Sequence, residues 1–461
     1  MIGIRHFFQR QTETPAATFV FFAILAALIG VMIGTTGVVG ALLVAALVFL
    51  AAILIWPELG FALVLGLIVL GQLVRIPIPG TQAEALPNDF FLPLLIVAWL
   101  LKRLLARRIS YPRTSIWIPL AFVILVMAGS IFLNRGWYDV GELMAGSLYA
   151  VRWVEYAFLF LIAADYARDR RWAYRIILGL IMTGLVLAVL GFVQLRLVPD
   201  FSFMAPNGWD PHIGRLLSTW FDPNFLAGYL AAIAGITLSI ALLRGRRGPW
   251  WWVATSVLVA AIILTYSRSG YLALVASFGI VTIIRSRALL YLGILVFAAT
   301  IIFVPRVQER VLGIRSIDET AQLRIVSWQN ALSVIETSPI VGVGYNFYRE
   351  AQDRQGLLED ADAHSATGAD SSLLFITATM GIAGLVAYGW LLLAIGWEVL
   401  RTARMSDLSP EWRAIGLGAV AAMVALFVHS QFVNGLLYPH LMQFIWTLTG
   451  VLVAVRTENR A

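Results

Sequence analysis

The chain has 461 residues, of which 60% are hydrophobic and 13% are charged. A soluble protein of this size needs a polar surface that this composition does not supply, so a soluble enzyme is excluded. The formal net charge of +7 comes from basic residues in short loops rather than from one patch, so we expect no nucleic acid partner.

Apolar runs long enough to cross a bilayer recur along the chain, and they lack the alternation of barrel strands. They predict an all-α, polytopic bundle of about 12–14 transmembrane helices. We treat residues 1–461 as a single transmembrane domain. The predicted spans are 16–34, 37–56, 59–74, 89–105, 115–133, 147–166, 173–195, 223–243, 250–266, 270–284, 288–304, 371–397, 413–433 and 438–455.

The basic loops predict the orientation of these spans. If the N-terminus is cytoplasmic, every strongly basic short loop, such as "KRLLARR" and "ARDRRWAYR", falls on the cytoplasmic side, and so does the C-terminus. The segment 305–370 is then the main extracytoplasmic loop. In it, Ile325, Trp328, Leu332 and Ile335 have the spacing of one face of an amphipathic helix, which we expect on the membrane surface or across the bundle's outer face.

The first candidate site residue is Arg268, in the turn "YSRSG" between two short predicted spans. Each span has room for about 17 residues, or about 25 Å of helix, so the turn is expected at the outer headgroup level. There the guanidinium either extends to lipid phosphates or binds an anion inside the bundle, and spacing alone leaves both open.

Arg215, the second candidate, lies in an outer loop just before "DPNFLAGYL". Asp222 and Pro223 have the pattern of a helix N-cap and first turn, and a helix N-terminus on this face favours anions. The alternative is an arginine that pairs with Asp210 or Asp222. Arg324, in the predicted surface helix, is the third candidate, with a solvated charge as the alternative.

Acidic residues and a histidine precede the span at 371–397, in "DADAHSATGAD". His364 or Asp370 could act as a general base toward a hydroxyl group, and Asp370 also has the position of an N-cap. Within a span, Arg152 and Glu155 are expected to pair with each other or to neutralise another charge in the bundle. The absence of cysteine and the scattered histidines lead us to expect no metal site and no cofactor.

Four segments, in chain order, resemble the family of O-antigen ligases and O-antigen polymerases. They are "RLLSTWFDPNFLAGYL", "TYSRSGYLALV", "RIVSWQNALSVIETSPIVGVGYNFY" and "DSSLLFITATMGIAGLVAYGWLL", and the first three contain Arg215, Arg268 and Arg324. The resemblance covers about 150–400 and implies a GT-C-like glycosyltransferase core in the bacterial inner membrane, with its active site facing the periplasm.

The family implies transfer of a glycan from undecaprenyl pyrophosphate to an acceptor hydroxyl of a glycan or lipid. Arg215 and Arg268 would neutralise the pyrophosphate in place of a metal ion, and a base at 364–370 would act on the acceptor, with inversion. Ligases of the family carry a histidine about eleven residues before the first glycine of this span, and counting back from Gly381 leads to Asp370. Either the loop has an insertion and His364 still serves, or Asp370 takes the place of the histidine. That departure favours a polymerase or exopolysaccharide enzyme, and a flippase of lipid-linked sugars is the alternative.

Overall fold

The computed structural model describes residues 30, 38–78, 84–106, 111–207, 209–303, 305, 307–308, 319–358 and 368–458. Helices dominate these ranges, whose strands are limited to β1 (Ile76–Pro77) and its antiparallel partner β2 (Glu84–Ala85). The prediction of an all-α polytopic membrane protein is confirmed. The helices are α1 (Val38–Ile55), α2 (Pro57–Leu70), α3 (Asn88–Leu105), α4 (Trp117–Asn134), α5 (Val140–Tyr166), α6 (Arg170–Leu197), α7 (Pro223–Arg244), α8 (Pro249–Thr265), α9 (Arg268–Arg285), α10 (Arg287–Phe303), α11 (Glu319–Thr337), α12 (Tyr348–Arg354), α13 (Ser372–Arg404), α14 (Pro410–His429) and α15 (Pro439–Glu458).

Every predicted span from 37–56 onward coincides with one of these helices, whereas the predicted span 16–34 lies outside the described residues. By length and composition, seven described helices could cross a membrane, or eight if the bent pair Leu47–Ile55 and Leu59–Leu70 is one span. The protein is thus a multi-span membrane protein. The total of about 12–14 spans and the single domain over 1–461 stay predictions.

The chain divides into two compact units, which comprise Met1–Leu63 with Pro93–Arg108 and Val64–Leu92 with Ile109–Ala461. The second unit, called unit 2 below, contains all the candidate site residues. Its most deeply buried long helices are α7 and α15. α7 packs against α8, α9 and α14, and α15 packs against α5. Backbones approach closely where small residues stand, because a Cβ on Gly418 would lie 2.5 Å from Ile236 Cα.

Large apolar side chains on the outer helices of unit 2 point away from this core. Ile118, Leu125 and Leu393 are 70%, 67% and 75% exposed, respectively. A water-soluble protein seldom exposes so many such side chains along its helices, whereas a helix in contact with lipid has no reason to bury them. The exposed apolar surface therefore marks the lipid-facing side of these helices.

A buried ion pair joins α13 to α15 at the end of unit 2 where both helices finish. Arg456 donates a hydrogen bond to the Glu398 carboxylate. The side chains of Arg456 and Glu398 are 3% and 0% exposed, respectively. The second Glu398 carboxylate oxygen accepts hydrogen bonds from the Ser115 backbone N–H and hydroxyl, each at 2.8 Å. Because each ion depends on the other, removing one leaves an uncompensated buried charge.

We therefore expect Glu398→Ala to lower the free energy of unfolding by about 3–5 kcal/mol. The matched control is Glu411→Ala, which removes the carboxylate of the half-exposed Arg244–Glu411 pair and should cost no more than about 1 kcal/mol. Chemical unfolding of the purified variants in detergent measures both values. Equal losses in the two variants would contradict the assignment of Glu398 as a buried counter-ion.

Candidate functional site

The turn that carries Arg268 connects α8 to α9. Tyr266 ends α8 in the left-handed conformation with φ 51°, and Ser267 is the N-cap of α9, because its hydroxyl accepts a hydrogen bond from the Gly270 N–H at 3.2 Å. Arg268 is the first residue of α9 and is half-buried. A Cβ on Gly270 would lie 2.4 Å from the Ala227 Cβ, so the glycine in "SRSG" allows α9 to approach α7.

Arg215 reaches the same turn from the preceding loop. Its Nε donates to the Thr265 carbonyl oxygen at 2.8 Å, and the Leu216 N–H donates to the Leu264 carbonyl oxygen at 2.9 Å. These contacts fasten the loop to the C-terminal end of α8, directly before Arg268. The structure therefore brings together the two arginines that the sequence separates by more than fifty residues.

The N-terminus of α7 is the second part of this site. As predicted, Asp222 is its N-cap and Pro223 its first residue, and the Asp222 carboxylate accepts from the N–H groups of Asn224 at 2.6 Å and Phe225 at 3.0 Å. Burial raises the pKa of Asp222 to about 6, against the opposing effects of these hydrogen bonds and of the Arg215 charge. The Ser267 hydroxyl donates to Asn224 Oδ1 at 2.8 Å, so the starts of α7 and α9 are joined.

The starts of α7 and α9 thus meet, and each contributes the positive end of a helix dipole. The Asp222 carboxylate takes the N–H groups of Asn224 and Phe225 at the start of α7. We call this end of unit 2, defined by Asp222, Asn224 and Ser267, the site end. With the positive charges of Arg215 and Arg268 beside it, it has the features of an anion site.

The start of α13 lies against α11. The Asp370 N–H donates to the Ser327 hydroxyl at 2.9 Å, and its carbonyl oxygen accepts from Trp328 Nε1 at 3.1 Å. The N-cap of α13 is Ser371, whose hydroxyl accepts from the Leu374 N–H. The expectation that Asp370 caps this helix is therefore wrong, because the neighbouring serine takes that role. His364, the other candidate base, lies outside the described residues.

The predicted stripe of α11 is divided between the packed and the exposed sides of the helix. Ser327, Ala331 and Val334 are buried, whereas Ile325 and Leu332, two of the four residues of the stripe, are 39% and 51% exposed. The other two are half-buried: Ile335 packs against the cluster that contains Ala331 and Val334, and Trp328 donates to the Asp370 carbonyl oxygen. The packed side of α11 faces α13.

Arg324 lies one turn before Trp328 on this helix. Its Nε is buried and makes no hydrogen bond within the described part of the chain. Its charge interacts with His429, the last residue of α14. Arg324 therefore lies near His429, a residue that the sequence did not single out.

His429 is the functional candidate that the sequence analysis missed. It is fully buried, its Nε2 lies 2.9 Å from the Asn224 carbonyl oxygen, and a Cβ on Gly228 would lie 2.7 Å from its Nδ1. The next residue, Ser430, accepts from the Ser372 N–H at 2.8 Å. His429 thus lies between the starts of α7 and α13, but nothing in its sequence neighbourhood signals that contact.

The segment with the glycine motif "GVG" at 342–344 forms backbone hydrogen bonds with α13 at a break in that helix. Gly381 interrupts this helix with φ 66°. The N–H groups of Val343 and Gly344 donate to the carbonyl oxygens of Ala378 and Thr379 at 3.0 and 2.9 Å, and the Ile382 N–H donates to the Pro339 carbonyl oxygen at 2.9 Å. The backbone groups that the break frees are therefore satisfied by the inserted segment.

The same segment is held by the last residue of α4 and the loop that follows it. Asn134 Nδ2 donates to the Gly342 carbonyl oxygen at 3.0 Å, and the Tyr138 hydroxyl donates to the Val343 carbonyl oxygen at 2.6 Å. Burial raises the pKa of Tyr138 to about 12, so it stays a protonated donor at neutral pH. Gly342, Gly344 and Gly381 thus lie where the inserted segment binds α13 at its break.

A second polar cluster flanks the site end. Gln72 Nε2 donates to the Tyr438 hydroxyl at 2.8 Å, and Arg75 Nε donates to Gln72 Oε1 at 2.9 Å. Arg75 stacks over the Trp209 ring at 4.0 Å, and Tyr438 stacks on Phe225, the third residue of α7, at 4.1 Å. Polar donors and aromatic faces therefore lie beside the start of α7.

Arg152 in α5 pairs with an acidic residue outside its own helix. Arg152 Nη2 donates to Asp89 Oδ2 at 2.6 Å and to the Glu84 carbonyl oxygen at 2.7 Å. This matches the expectation that Arg152 neutralises another charge in the bundle. The Arg152–Asp89 pair ties α5 to the start of α3.

Two comparisons with known proteins bear on this site. Residues 253–389, which include the Arg268 turn, Arg324, Asp370 and the Gly381 break, match the family described as O-antigen ligase. Over these residues the chain is similar to O-antigen ligases. It is also 26% identical over 276 residues to the exopolysaccharide production protein ExoQ of Rhizobium meliloti (strain 1021). That match covers 55% of this chain and 62% of the relative, a little less than two thirds of its length.

Proposed function

We propose that this ligase-like chain transfers a glycan from a lipid-linked pyrophosphate, of the undecaprenyl type, to an acceptor hydroxyl at the site end. The observation that carries the proposal is the junction of α7 and α9 through Ser267 and Asn224, with Arg215 and Arg268 beside it. A long polyprenyl donor lies in the membrane, and the half-buried Arg268 at the start of a short helix suits a pyrophosphate at headgroup depth.

In this reaction the bond between the sugar C1 and the pyrophosphate oxygen breaks, and negative charge develops on the departing pyrophosphate. Arg268 and the positive dipole ends of α7 and α9 would stabilise that charge without a metal ion. Arg215, whose Nε already binds Thr265, would add charge and hold the turn in place. Arg324, with its buried Nε, would contribute from the side of α13.

The acceptor hydroxyl attacks C1 on the face opposite the leaving group, so the transfer inverts the configuration in one displacement. Asp370 is the proposed base, because its backbone is held by Ser327 and Trp328 while Ser371 takes the capping role. Its carboxylate is therefore not needed to start the helix. His364 stays the alternative base.

The name of the similar protein, an exopolysaccharide production protein, favours the joining of polysaccharide repeat units over ligation to lipid A core. The proposed donor and acceptor are then both glycans on lipid carriers. We place the site end on the periplasmic face of the inner membrane, with both termini cytoplasmic, because the short basic loops predict that orientation.

The deciding experiment incubates the purified protein with an undecaprenyl-pyrophosphate-linked glycan and measures the length of the product. A ladder of lengths indicates a polymerase, and a single addition to lipid A core indicates a ligase. Donor that crosses the membrane of a proteoliposome without any covalent product indicates a flippase and contradicts the proposal.

For the base, Asp370→Asn is expected to lower the transfer rate by about 10²–10⁴-fold at unchanged folding, because only the proton acceptor is lost. Asp353→Asn, on the exposed side of α12, is the control and should keep full activity. His364→Ala is measured in parallel. If Asp370→Asn and His364→Ala both transfer at the wild-type rate, a base at 364–370 is refuted.

A further inference from the structure

A cavity lies at the end of unit 2 opposite the site end, where α13 and α15 finish. Its volume is about 200 Å³, and it is lined by Trp397, Leu400, Arg401, Arg404, Met405 and Arg456. Three of these six residues are arginines, and the proposed transfer reaction uses none of the three. A cavity of this size has room for a phosphate group and part of a glycerol backbone.

The charges around the cavity do not balance. The Glu398 carboxylate pairs with Arg456 and lies 3.7 Å from Arg401 Nη1, so one acidic group faces these two arginines. Arg404 adds a third positive charge at the exposed edge. The nearby Asp407 accepts a hydrogen bond from Ser406 at 2.9 Å and is not part of the lining. The lining therefore carries excess positive charge and favours an anion, and guanidinium groups match the geometry of a phosphate.

An apolar stripe leads from this cavity along α13. Trp390, Leu393 and Trp397 recur at spacings of three and four residues, and they are 45%, 75% and 53% exposed. Side chains at this spacing share one face of the helix, and Trp397 also lines the cavity. A ligand that used both features would have an anionic phosphate at one end and hydrocarbon chains at the other.

We infer that this cavity binds the phosphate of one anionic glycerophospholipid from the adjacent leaflet, whose acyl chains lie along the stripe of Trp390, Leu393 and Trp397. Basic pockets between membrane helices bind lipid headgroups by the same combination of charge and apolar surface. The lipid would contact α13 near the buried Glu398–Arg456 pair and stabilise the end of that helix.

The test is native mass spectrometry of the delipidated full-length protein titrated with phosphatidylglycerol, with phosphatidylcholine as the neutral headgroup. The wild type should retain one tightly bound phosphatidylglycerol. The double variant Arg401→Gln/Arg404→Gln should bind it about tenfold or more weakly, since two phosphate ligands are lost. Arg456 is left intact so that its buried pair with Glu398 survives, and the unfolding temperature checks this.

The control is Arg246→Gln/Arg247→Gln, which removes two exposed arginines outside the cavity and should leave phosphatidylglycerol affinity unchanged. Equal weakening by both double variants would indicate a diffuse charge effect and overturn the inference. Trp397→Ala should weaken phosphatidylglycerol binding but not the binding of inorganic phosphate. If inorganic phosphate binds as tightly as the lipid, the site is one for free phosphate and the lipid assignment fails.

Discussion

Arg268→Ala is expected to abolish glycan transfer, with a loss of about 10²–10³-fold or more in the rate from a lipid-linked pyrophosphate donor. The reason is that charge on the departing pyrophosphate would no longer be stabilised by the guanidinium at the start of α9. The measurement is transfer by purified protein at saturating donor. Arg268→Lys should recover part of the rate, because the charge returns without the paired donors of the guanidinium.

The matched control for this prediction is Arg285→Ala, at the other end of the same helix α9 and exposed. It removes an arginine of the same helix without touching the site end, so expression and transfer should both stay at wild-type levels. Full transfer by folded Arg268→Ala protein would refute the role of Arg268 as a pyrophosphate ligand.

Gly381→Ala is expected to have the largest effect on stability among the glycines of α13. Gly381 has φ 66°, and a Cβ there would lie 2.1 Å from the Ile340 carbonyl oxygen, a backbone atom that cannot move aside alone. The positive φ costs about 1–2 kcal/mol for alanine, and the clash would also separate the segment 339–344 from the broken helix. We expect a total loss of several kcal/mol and a marked fall in folded protein.

Gly389→Ala is the control, since Gly389 lies in the same helix and a Cβ added there would meet nothing within 4 Å. Alanine there should be neutral or stabilising by up to about 1 kcal/mol, because it favours the helix. Thermal unfolding in detergent compares the two variants. If Gly381→Ala unfolds at the temperature of Gly389→Ala, the inserted segment does not depend on the glycine.

The described spans could be predicted because membrane insertion depends on local hydropathy. Apolar runs alone located helices such as α7 and α9, and "DPN" correctly predicted the Asp222 cap. The cap of α13 could not be predicted in the same way. Asp370 and Ser371 are adjacent and both suit the role, and the choice depends on the contacts that Ser327 and Trp328 make with the Asp370 backbone.

The site was only partly predictable for a related reason. Arg215 and Arg268 stand in motifs, and so their roles could be proposed from the sequence. His429 stands in an ordinary apolar helix, and its importance comes from the Asn224 carbonyl oxygen, which is two hundred residues away in the chain. In the same way, Arg152 binds Asp89, although Glu155 is nearer to it in the chain, because the start of α3 lies beside α5.

The sequence by itself determined that this chain is a helical membrane protein, where most helices begin and end, and which arginines are candidates for an anion. These properties depend on residues within one or two helical turns. Only the tertiary structure decided that the starts of α7, α9 and α13 meet around His429. It also decided that the 339–344 segment forms hydrogen bonds with the backbone of α13 where Gly381 breaks the helix. Those contacts join residues far apart in the chain, and they form only when small residues let the helices pack closely.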